Sequence, residues 1–588
     1  MKKYTADFET ATWLENETFV WAWAICEIGK EDNIKIDNSI DSFIKFMQNN
    51  IGTYYFHNLK FDGEFIIYYL LTNGYDYITD KNQARDKTFT TLISDLGMFY
   101  QITIYFEYSK KKVKKVTIID SLKIIPFSVD VIAKSFGLPI SKLKIDYNEV
   151  RERNHILTEE EKAYITNDVV IVAKALKIMF DENLNKMTIG SNALKDFKDI
   201  ITLNRFNHLF KPLDFKLDEE LRKAYKGGFT YLNSKYKEKD TGKGITLDIN
   251  SLYPSVMLKM LPFGEPKHYK GKYEKDKVYP LYIQKITCCF KLKENKIPTI
   301  QIKNSYTYLP NEYIKDSNGE IEVLILTSID LELFLEQYDV YDLTYIEGWK
   351  FKAVTGIFDS YINKWTKRKI EAGKEGNKGQ RQLAKLMLNS LYGKFATSMN
   401  IQEKLCYLGE DNIVHYRLSE SKTKDGLYLP IACFITAYAR DKTIRTSQAI
   451  TDYSIKKYGI DKYIYSDTDS ISTTLTIDEV KQFCEIDDFE LGKWAHENTF
   501  ENAKFIRQKT YLKLIYDEKE KENKVHITCA GMPKSCYDFV TWENFKEGFT
   551  CGGKLMYKHV IGGVKLVETE FTIKSDKKLT SNINKFKV

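Results

Sequence analysis

Two groups of acidic residues have the types and spacing that two-metal phosphoryl chemistry needs. In the first group, Asp7 and Glu9 are two positions apart in ADFET on a predicted strand, so both side chains leave one face. Asp62 follows in YFHNLKFDGEF, and Tyr164 and Asp168 are four apart on one face of a predicted helix. Four carboxylates could hold two Mg²⁺ ions about 3.5–4 Å apart and hydrolyse a phosphodiester, while the phenol orients the water. Each pair alone is more often solvent-exposed, and only the combination supports this prediction.

The second acidic group lies further along the chain. Asp248 ends the alternating run GITLDI, where a strand would deliver it to the edge of a sheet, and SLYPS follows. Asp467 and Asp469 lie in YSDTDS at a predicted hairpin turn. Acidic turns are usually only solvated. Three carboxylates in this order instead suit nucleotidyl transfer, in which one Mg²⁺ activates a primer hydroxyl and a second bridges a triphosphate.

A predicted helix between these aspartates provides cations for such a reaction. In GQRQLAKLMLNSLYGKF, Leu383, Met387 and Leu391 form an apolar stripe. A neighbouring face carries Arg381, Lys385, Asn389 and Tyr392. Cationic side chains in this position could neutralise a triphosphate, although a solvated basic face is the alternative.

The carboxylates also require elements that hold them in place. Residues 1–187 alternate short β-rich runs with helical stretches, which predicts an α/β domain. Its last helix begins at a capping box formed by Thr158 and Glu161. The apolar positions of this helix repeat on one face: Ile165, Val169, Val172, Leu176 and Phe180.

The remaining sequence divides by composition into six segments, which are 188–257, 258–357, 358–396, 397–425, 426–524 and 525–588. The second segment is β-rich and holds five of the eleven prolines. The third predicts two helices separated by the polar run EAGKEGNKG. The last is β-rich and ends in the basic stretch KSDKKLTSNINKFKV.

Bulk composition limits the possible classes. A chain of 588 residues predicts about three to five domains, and the net charge of +7 favours a polyanionic partner only weakly. Nine cysteines without a C-x-x-C pair are unlike a disulfide framework or a zinc site and favour a reducing cytoplasm. No run approaches the ~18 apolar residues of a membrane span, and no Gly-Lys pair is followed by Ser or Thr, which argues against Walker-type ATP use.

These motifs together resemble protein-primed family-B DNA polymerases of the phage phi-29 type. The resemblance covers roughly residues 4–573 and rests on ADFET, HNLKFDG, YITND, YKGG, D-x-x-S-L-Y-P, K-x-x-x-N-S-x-Y-G, Y-x-D-T-D and K-T-Y. It implies an α+β multidomain fold, with an RNase H-like α/β 3′→5′ exonuclease domain and a right-hand polymerase domain of palm, fingers and thumb that carries two protein-primed-type insertions.

The resemblance assigns each segment to a domain. It implies an exonuclease at 1–187, palm at 188–257 and 426–524, terminal-protein-region insertions at 258–357 and 397–425, fingers at 358–396, and a thumb with a C-terminal tail at 525–588. Against the phi-29 type, the resemblance implies a longer turn between the finger helices, a shorter segment after Tyr511 and an extra tail beyond Ile573.

The resemblance also gives roles to residues of the exonuclease. Asp7, Glu9, Asp62 and Asp168 would be metal ligands, Tyr164 would position the nucleophile, and Lys142 in SKLKIDY would stabilise the scissile phosphate. Single-stranded DNA would contact Thr10, Tyr55, His57, Asn58, Phe61, Phe65, Ser121, Leu122 and Tyr147. For His57, a structural role as a half-buried residue closing a strand is an equal alternative.

In the polymerase domain the resemblance places Asp248, Asp467 and Asp469 at the metals. Tyr253 would be the steric gate against a 2′-hydroxyl. Arg381 and Lys385 would contact the triphosphate, and Asn389 and Tyr392 the nascent base pair. DNA would be contacted by Tyr225, Gly227, Gly228, Lys394, Lys509 and Tyr511. Glycine suits such a contact because the missing Cβ lets backbone approach a phosphate closely.

The implied function is template-directed DNA synthesis with proofreading, in protein-primed, processive and strand-displacing replication of a phage genome. Mg²⁺ would be the cofactor, two ions per site, with Mn²⁺ as a substitute. Partners would be primer–template and single-stranded DNA, dNTPs and a terminal protein, with the chain as a monomer or a 1:1 heterodimer in the cytoplasm of an infected bacterium. Two rival functions are a nuclease-only repair enzyme and a non-catalytic DNA-binding scaffold, but neither explains an intact set of carboxylates at both sites.

Overall fold

The computed structural model describes residues 1–109, 113–147, 149–301, 313–517 and 520–574. Residues 575–588, which include most of the predicted basic C-terminal stretch, lie outside the described residues. Within the described ranges, no helix is long and apolar enough to cross a membrane.

The N-terminal part of the chain forms a mixed sheet covered by helices. Its strands are β1 (Lys2–Thr10), β2 (Val20–Glu27), β3 (Lys30–Asp37), β4 (Gly52–Phe56), β5 (Asp76–Tyr77), β6 (Thr88–Ile93), β7 (Phe99–Tyr108) and β8 (Val113–Asp120), in the order β3-β2-β1-β4-β8-β7-β6-β5. Its helices are α1 (Ile40–Asn49), α2 (Leu59–Thr72), α3 (Val129–Ser135) and α4 (Glu159–Asp181). Strand β1 lies inside the sheet, parallel to β4 and antiparallel to β2, so its carboxylates are held rigidly.

Helix α4 begins where the sequence predicts. Thr158 and Glu161 form the expected capping box, since each side chain accepts a hydrogen bond from the other residue's backbone N–H. The face of α4 that packs against β1 and β2 carries buried Ile165, Val169 and Val172. The helix therefore delivers Asp168 to the side of the sheet where β1 lies.

A second large sheet follows three connecting helices. The helices are α5 (Ile189–Ile201), α6 (Leu203–Leu209) and α7 (Phe215–Arg222). The sheet contains β9 (Thr230–Leu232), β10 (Gly244–Ile249), β19 (Tyr463–Asp467), β20 (Ser470–Thr473), β21 (Trp494–Arg507), β22 (Thr510–Asp517) and β23 (Glu522–Cys529). Its order is β23-β22-β21-β10-β20-β19-β9. Helix α8 (Leu252–Val256) follows β10, and α13 (Pro430–Tyr458) and α14 (Ile477–Val480) flank the β19–β20 hairpin in sequence.

Two further subdomains interrupt this sheet in sequence. The first contains β11 (Leu261–Lys270), β12 (Leu281–Leu292), β13 (Glu322–Thr327), α9 (Ser328–Gln337) and β14 (Tyr338–Val354), with strand order β11-β14-β12-β13. The second contains the small hairpins β15 (Asn400–Ile401) with β18 (Lys422–Thr423) and β16 (Lys404–Leu408) with β17 (Val414–Leu418). Between the two subdomains are α10 (Asp359–Lys374), α11 (Lys378–Ser390) and α12 (Tyr392–Phe395).

The C-terminal part is a long hairpin formed by β24 (Thr550–Val560) and β25 (Gly563–Thr572). Short 3₁₀ helices span Lys81–Gln83, Ser121–Lys123, Ser234–Tyr236 and Lys534–Phe539. Strand β23 belongs to the second sheet, so the β-rich C-terminal stretch expected from about residue 525 begins inside that sheet.

The structure differs from two predictions about local features. The turn predicted at EAGKEGNKG is shorter than expected, because α10 continues through Lys374 and α11 starts at Lys378. Cys536 and Cys551 form a disulfide, which the cysteine spacing did not predict. The two cysteines are 15 positions apart in the sequence, and only the fold of the hairpin base brings their Cα atoms to 6.0 Å.

Three distant parts of the chain meet at the carboxylate of Glu64, and we refer to Glu64, Tyr416 and His559 as the Glu64 junction. Glu64 lies on α2 and is buried. Tyr416, on β17, donates its hydroxyl to Glu64 Oε2 at 2.7 Å. His559, on β24, places Nε2 3.0 Å from Glu64 Oε1, and this nitrogen must carry the proton because a carboxylate only accepts. Nearby, the N–H of Thr18 donates to the carbonyl of Ile561 at 2.9 Å.

Candidate catalytic sites

The first carboxylate group assembles on the N-terminal sheet. Asp7 and Glu9 project from β1, Asp62 comes from the first turn of α2, and Asp168 comes from α4. Burial and the nearby Asp168 charge raise the pKa of Asp7 to about 7. Burial, followed by the charge of Asp7, raises the pKa of both Glu9 and Asp62. Carboxylates from three separate elements therefore share one buried, electrostatically repulsive site.

A lysine and two tyrosines border this site. Lys142 Nζ donates to Asp168 Oδ2 at 2.8 Å. Burial raises the pKa of Asp168, while Lys142 acts in the opposite direction. The hydroxyls of Tyr147 and Tyr164 are 2.5 Å apart. Burial and then the charge of Glu9 raise the pKa of Tyr164, so its phenol stays protonated and able to donate.

The donor set suits hard divalent cations. Asp62 Oδ1 and Asp168 Oδ1 are buried and accept no hydrogen bond. Unpaired carboxylate oxygens in a buried site are costly unless a cation balances them, and Mg²⁺ prefers oxygen ligands. In the part of the chain that the structure describes, no three His, Cys, Asp or Glu side chains already form a metal-binding arrangement. Instead, Lys142 supplies the positive charge beside Asp168.

Several predicted DNA contacts are buried inside the N-terminal domain. Tyr55, Phe65 and Ser121 are at most 4% exposed. Ser121 Oγ donates to the carbonyl of Phe56, and Tyr55 packs against the ring of Phe180. The side chains of Tyr55, Phe65 and Ser121 thus form part of the packed interior of the domain, and their contact with single-stranded DNA stays a prediction.

The contacts of His57 favour a structural role over a direct contact with DNA. Its Nδ1 lies 3.0 Å from Ser121 Oγ, and its Nε2 lies 2.6 Å from the carbonyl oxygen of Phe127. Burial lowers the pKa of His57, so the ring is held neutral. The single N–H of the neutral ring is donated by Nε2 to the Phe127 carbonyl, while Nδ1 lies beside the Ser121 hydroxyl, so both nitrogens face groups of the same domain.

The remaining predicted contacts lie near the surface or at its edge. Asn58 adopts a left-handed backbone, and its backbone N–H donates to Asp120. Its side chain donates to Tyr557 Oη of the C-terminal hairpin at 3.2 Å. The ring of Phe61 lies 6.4 Å from that of Tyr557. Tyr147 is exposed and Leu122 half-buried, whereas Thr10 is buried at the end of β1.

The second carboxylate group assembles where β10 meets the β19–β20 hairpin. Asp248 is near the end of β10, Asp467 ends β19, and Asp469 follows in the turn. The backbone N–H of Ile249 donates to the carbonyl of Asp469 at 2.8 Å, which joins the two elements. Between the aspartates, Thr468 has a left-handed φ of 61°. These contacts hold all three aspartates at one cavity of about 390 Å³.

The carboxylates that line this cavity also repel one another. Burial, followed by the charge of Asp469, raises the pKa of Asp248 to about 7. Burial likewise raises the pKa of Asp469. Lys509 Nζ lies 2.8 and 3.0 Å from the two carboxylate oxygens of Asp467, and its backbone N–H donates to Tyr465. The K-T-Y segment thus places a cation against the turn between Asp467 and Asp469, just as Lys142 lies against Asp168 at the first site.

The basic helix has the predicted orientation. On α11, Arg381, Lys385 and Asn389 are exposed, while Leu383 and Met387 are buried. The charge of Lys385 reaches Asp248, where it opposes the effect of burial on the pKa of that carboxyl group. Lys385, at least one turn from the end of this basic face, therefore lies within electrostatic range of the carboxylate cavity.

Tyr392 lies outside α11, which ends at Ser390. It begins the short helix α12. Its ring stacks on that of Tyr253 with centroids 4.1 Å apart and an angle of 20°. The single helical face predicted to run through Tyr392 is therefore interrupted, but the two tyrosines predicted near the nucleotide lie together.

The Y-K-G-G segment is held by a buried arginine. Arg440, on α13, pairs with Asp330 on α9 at 2.7 Å and donates to the carbonyls of Lys226 and Gly227. A Cβ on Gly228 would lie 2.7 Å from side-chain atoms of Thr468, whereas one on Gly227 would meet nothing within 4 Å. Close packing against the catalytic turn therefore explains Gly228, while Gly227 leaves an open backbone.

Two other predicted contacts are half-buried. Tyr225 lies in the same segment as Gly227, and Lys394 lies on α12. Burial and then the positive charge of Lys424 lower the pKa of Lys394. The ring of Tyr511 lines the cavity and packs at tilted angles against the rings of Phe505 and Tyr465.

Sequence reasoning missed three charged residues at the second site. Glu497 on β21 and Lys513 on β22 line the carboxylate cavity. Lys369 lies near Arg381 and Lys385, whose charges add to burial in lowering its pKa. A usable signal exists only for Lys513, because Lys509, Tyr511 and Lys513 alternate with the period of a strand.

The chain has a mixed α+β fold, with one carboxylate site on an N-terminal sheet and another at the end of a separate sheet. This arrangement is the one expected of a DNA polymerase with a nuclease domain. The chain belongs to the family of DNA polymerases of type B, organellar and viral, whose model matches residues 44–483. It is therefore a DNA polymerase, and enzymes of this family use divalent metal ions. This membership confirms the family, the fold class and the enzyme class that the motifs imply.

The similarity to individual phage enzymes extends over nearly the full length. The chain is 47% identical to the DNA polymerase of Bacillus phage phi29, with 97% of this chain and 99% of that one covered. It is 34% identical to the DNA polymerase of Streptococcus phage Cp-1, covering 97% and 98%. Its structure is similar to that of phi29 DNA polymerase complexed with primer–template DNA and incoming nucleotides, with a TM-score of 0.91, 46% identity, and coverage of 97% and 100%.

Proposed function

We propose that the cavity bordered by Asp248, Asp467 and Asp469 is the polymerisation site. The observation that supports this most is the convergence of three aspartates from β10 and the β19–β20 hairpin beside the basic face of α11. Mg²⁺ would bind to these carboxylates, with Mn²⁺ as an alternative. When bound, such ions activate the primer hydroxyl and neutralise phosphate charge.

The surrounding residues would bind and orient the substrates. Arg381 and Lys385 attract the triphosphate, because they are exposed and Lys385 lies within electrostatic range of the cavity. Tyr253 is held by its stack on Tyr392, so its ring restricts the space for a 2′-hydroxyl and acts as the steric gate. Lys509 lies against the catalytic turn, where it can hold the primer strand.

Asn389, Tyr392 and the DNA-facing residues complete this proposal. Asn389 is exposed on the same face as the two cations and would contact the nascent pair with Tyr392. Tyr225, Gly227, Gly228, Lys394 and Tyr511 would follow the template and primer backbones. Gly227 suits a phosphate contact because nothing lies within 4 Å of its missing Cβ.

We infer a separate 3′→5′ exonuclease site at Asp7, Glu9, Asp62 and Asp168. Three buried carboxylates and the half-buried Asp7, all with raised pKa values, need cations to stay ionised together, and divalent ions would fit the unpaired oxygens of Asp62 and Asp168. Tyr164 remains protonated and can orient the attacking water. Lys142 is positioned to move from Asp168 to a scissile phosphate.

Single-stranded DNA would reach this site over the exposed edge of the N-terminal domain. Tyr147, Asn58, Phe61 and Leu122 lie at that edge, and Thr10 lies at its floor. Similar structures support the substrate class, since phi29 DNA polymerase complexed with single-stranded DNA has a TM-score of 0.90 and 45% identity to this chain.

We further propose protein-primed, processive and strand-displacing replication of a phage genome in the cytoplasm of an infected bacterium. The support is the full-length similarity to polymerases of bacteriophages. The segments 258–357 and 397–425 would be insertions that serve this mode, the first binding a terminal protein and the second helping to enclose DNA. The chain would act as a monomer or in a 1:1 heterodimer with that protein.

One experiment tests the two-site assignment. The full chain is incubated with a labelled primer–template and Mg²⁺, with and without dNTPs. Asp467→Asn should abolish extension and keep trimming, while Asp7→Asn should abolish trimming and keep extension. Loss of both activities in either variant, with unchanged thermal unfolding, would refute the assignment.

Protein priming has a separate test. Candidate terminal proteins are incubated with the chain and labelled dNTPs, and covalent transfer of a dNMP to the protein is measured on denaturing gels. No transfer by a chain that extends DNA primers would refute priming and leave the polymerase assignment intact.

A further inference from the structure

Lys513 is a buried cation in the sheet that carries the polymerisation carboxylates. It lies on β22 and is 6% exposed. Its Nζ donates to Thr246 Oγ1 at 2.7 Å and to Ser472 Oγ at 3.1 Å. These two hydroxyl residues are direct cross-strand partners on β10 and β20. One ammonium group therefore bridges the two strands that deliver Asp248 and Asp469.

The bridge lies on the catalytic face of the sheet. Thr246 and Asp248 are two positions apart on β10, so their side chains leave the same face. The same alternation places Lys513 on the face of Tyr511. Lys513 borders the cavity of about 390 Å³ together with all three aspartates and Glu497. The ammonium group thus lies further from the end of β10 than the carboxylates, because its partner Thr246 comes two positions before Asp248.

The ammonium group of Lys513 has no carboxylate at ion-pair distance. It donates to two neutral hydroxyls, and no carboxylate in the described residues lies within 4.0 Å of its Nζ. Aromatic rings of Phe500, Phe505 and Tyr511 surround it at 5.1–5.9 Å. Burying a cation without a paired anion is costly, and such groups concentrate at functional sites.

The electrostatic environment indicates what the positive charge of Lys513 does. The groups that face it are Glu497 on β21, Asp248 on β10, Asp467 and Asp469 in the β19–β20 turn, and Tyr465, Lys509 and Tyr511. Four carboxylates thus converge on one cavity, and their mutual repulsion would separate the strands that carry them. A fixed positive charge beneath them opposes this separation.

We propose that Lys513 is a positioning residue of the polymerisation site, whose ammonium group fixes the spacing of Asp248 and Asp469 by joining Thr246 to Ser472. The inference rests on the proposed assignment of that site. It concerns the geometry in which the carboxylates act rather than substrate binding, so it should affect kcat more than KM.

The protonation of Lys513 provides a specific readout. Burial lowers its pKa to about 8, while Glu497 acts in the opposite direction. Above this pH the bridge keeps its hydrogen-bonding nitrogen but loses its charge. If the charge positions the carboxylates, single-nucleotide incorporation should decline as the pH rises through about 8. An arginine in this place stays charged and should remove that decline.

The test compares Lys513→Met and Lys513→Arg with the wild-type full chain and with Lys504→Met. Lys504 is the matched control, because it is a partly buried lysine on the adjacent strand β21 that donates to the carbonyl of Trp542. Single-nucleotide kcat and KM, pH profiles from 6.5 to about 9.5 and exonuclease rates are measured, the range being chosen to span the ionisation of Lys513.

The expected result for Lys513→Met is a fall of about 10–100-fold in kcat, with KM for dNTP changed less than about threefold, as general losses of positioning produce. Lys513→Arg should restore part of kcat and flatten the profile near pH 8. Exonuclease rates should stay at the wild-type level. Lys504→Met should match wild type in every assay.

Three outcomes would overturn the proposal. A kcat for Lys513→Met equal to wild type would show that the bridge is dispensable. Equal losses of polymerisation and exonuclease would indicate a general packing defect. A pH profile that Lys513→Arg leaves unchanged would show that the charge has no part. Failure of the site assignment itself is distinguishable, because Asp467→Asn would then still extend primers.

Discussion

We predict that the Glu64 junction makes the contact between the N-terminal domain and the C-terminal hairpin dependent on pH. The hydrogen bond to Glu64 raises the pKa of His559 above its ordinary value of 6.5, while burial, Lys60 and Lys404 act in the opposite direction. A raised pKa means that the protonated histidine stabilises the folded junction. This stabilisation is fully present below about pH 6.5 and is lost as the pH rises through the raised value.

The magnitude follows from the type of contact. A hydrogen bond to a charged group contributes about 1.5–3 kcal/mol. The side chain of His559 is 35% exposed, so solvent screening favours the lower end of this range. A loss of about 1.5 kcal/mol corresponds to roughly a tenfold increase in opening of the hairpin. Tyr416 holds the other oxygen of Glu64 at 2.7 Å and should keep the carboxylate in place.

The perturbation is His559→Gln, which keeps an amide donor but cannot become charged. Backbone hydrogen exchange of residues 550–572 is measured at pH 6.0 and 8.5, and each rate is divided by the intrinsic rate at that pH. We expect the variant to exchange about tenfold faster than wild type at the lower pH and to match it at the higher pH. His415→Gln is the matched control, since His415 pairs with Asp411 on the surface.

Two results would refute this reasoning. Equal protection of wild type and His559→Gln at pH 6.0 would show that the charged contact contributes nothing. A difference that persists unchanged at pH 8.5 would show that the substitution acts through packing rather than through protonation. If His415→Gln reproduced the effect, the change could not be assigned to the Glu64 junction.

Three further predictions follow from other contacts. Gly228→Ala should lower the polymerisation rate about tenfold by pushing Thr468 out of its place between Asp467 and Asp469, at a cost of about 1–3 kcal/mol, as measured by single-nucleotide incorporation. Arg151→Leu should cost about 3 kcal/mol in calorimetric unfolding at pH 7, because it removes the buried guanidinium partner of Glu161 and leaves that carboxylate only His155 and the Thr158 backbone N–H. Burial raises the pKa of Glu161, but Arg151 and the other donors outweigh it and lower the pKa to about 2, so the loss should shrink as the pH falls from 4.5 toward that value. Removal of divalent ions by a chelator should stop both extension and trimming, and Mg²⁺ should restore both in the same gel assays.

Local sequence signals predicted much of the N-terminal domain. The capping box at Thr158 and the apolar repeat after it depend only on residues a few positions apart, so they appear in the sequence as they do in the structure. The same holds for the acidic hairpin turn, because alternation on both sides of Asp467 and Asp469 describes two strands. Such features form wherever local geometry and burial agree.

Long-range packing explains most of the differences. Tyr55, Phe65 and Ser121 belong to recognisable motifs, but their burial depends on the rest of the domain folding over them. The contribution of Lys513 depends on strands that lie next to each other only in the folded sheet. The disulfide likewise requires the hairpin base to close. A single sequence does not contain these distances.

The tip of the C-terminal hairpin also constrains how the molecule can be divided. Backbone of residues 561 and 562 lies against residues 16–18, and Thr18 donates to the carbonyl of Ile561. The tip of the β24–β25 hairpin thus contacts a loop near the start of the chain. A shortened fragment that began after residue 187 would lack residues 16–18, which this tip contacts. It would also expose apolar side chains of β24 and β25 to solvent. The two activities should therefore be dissected by point substitutions in the intact polypeptide.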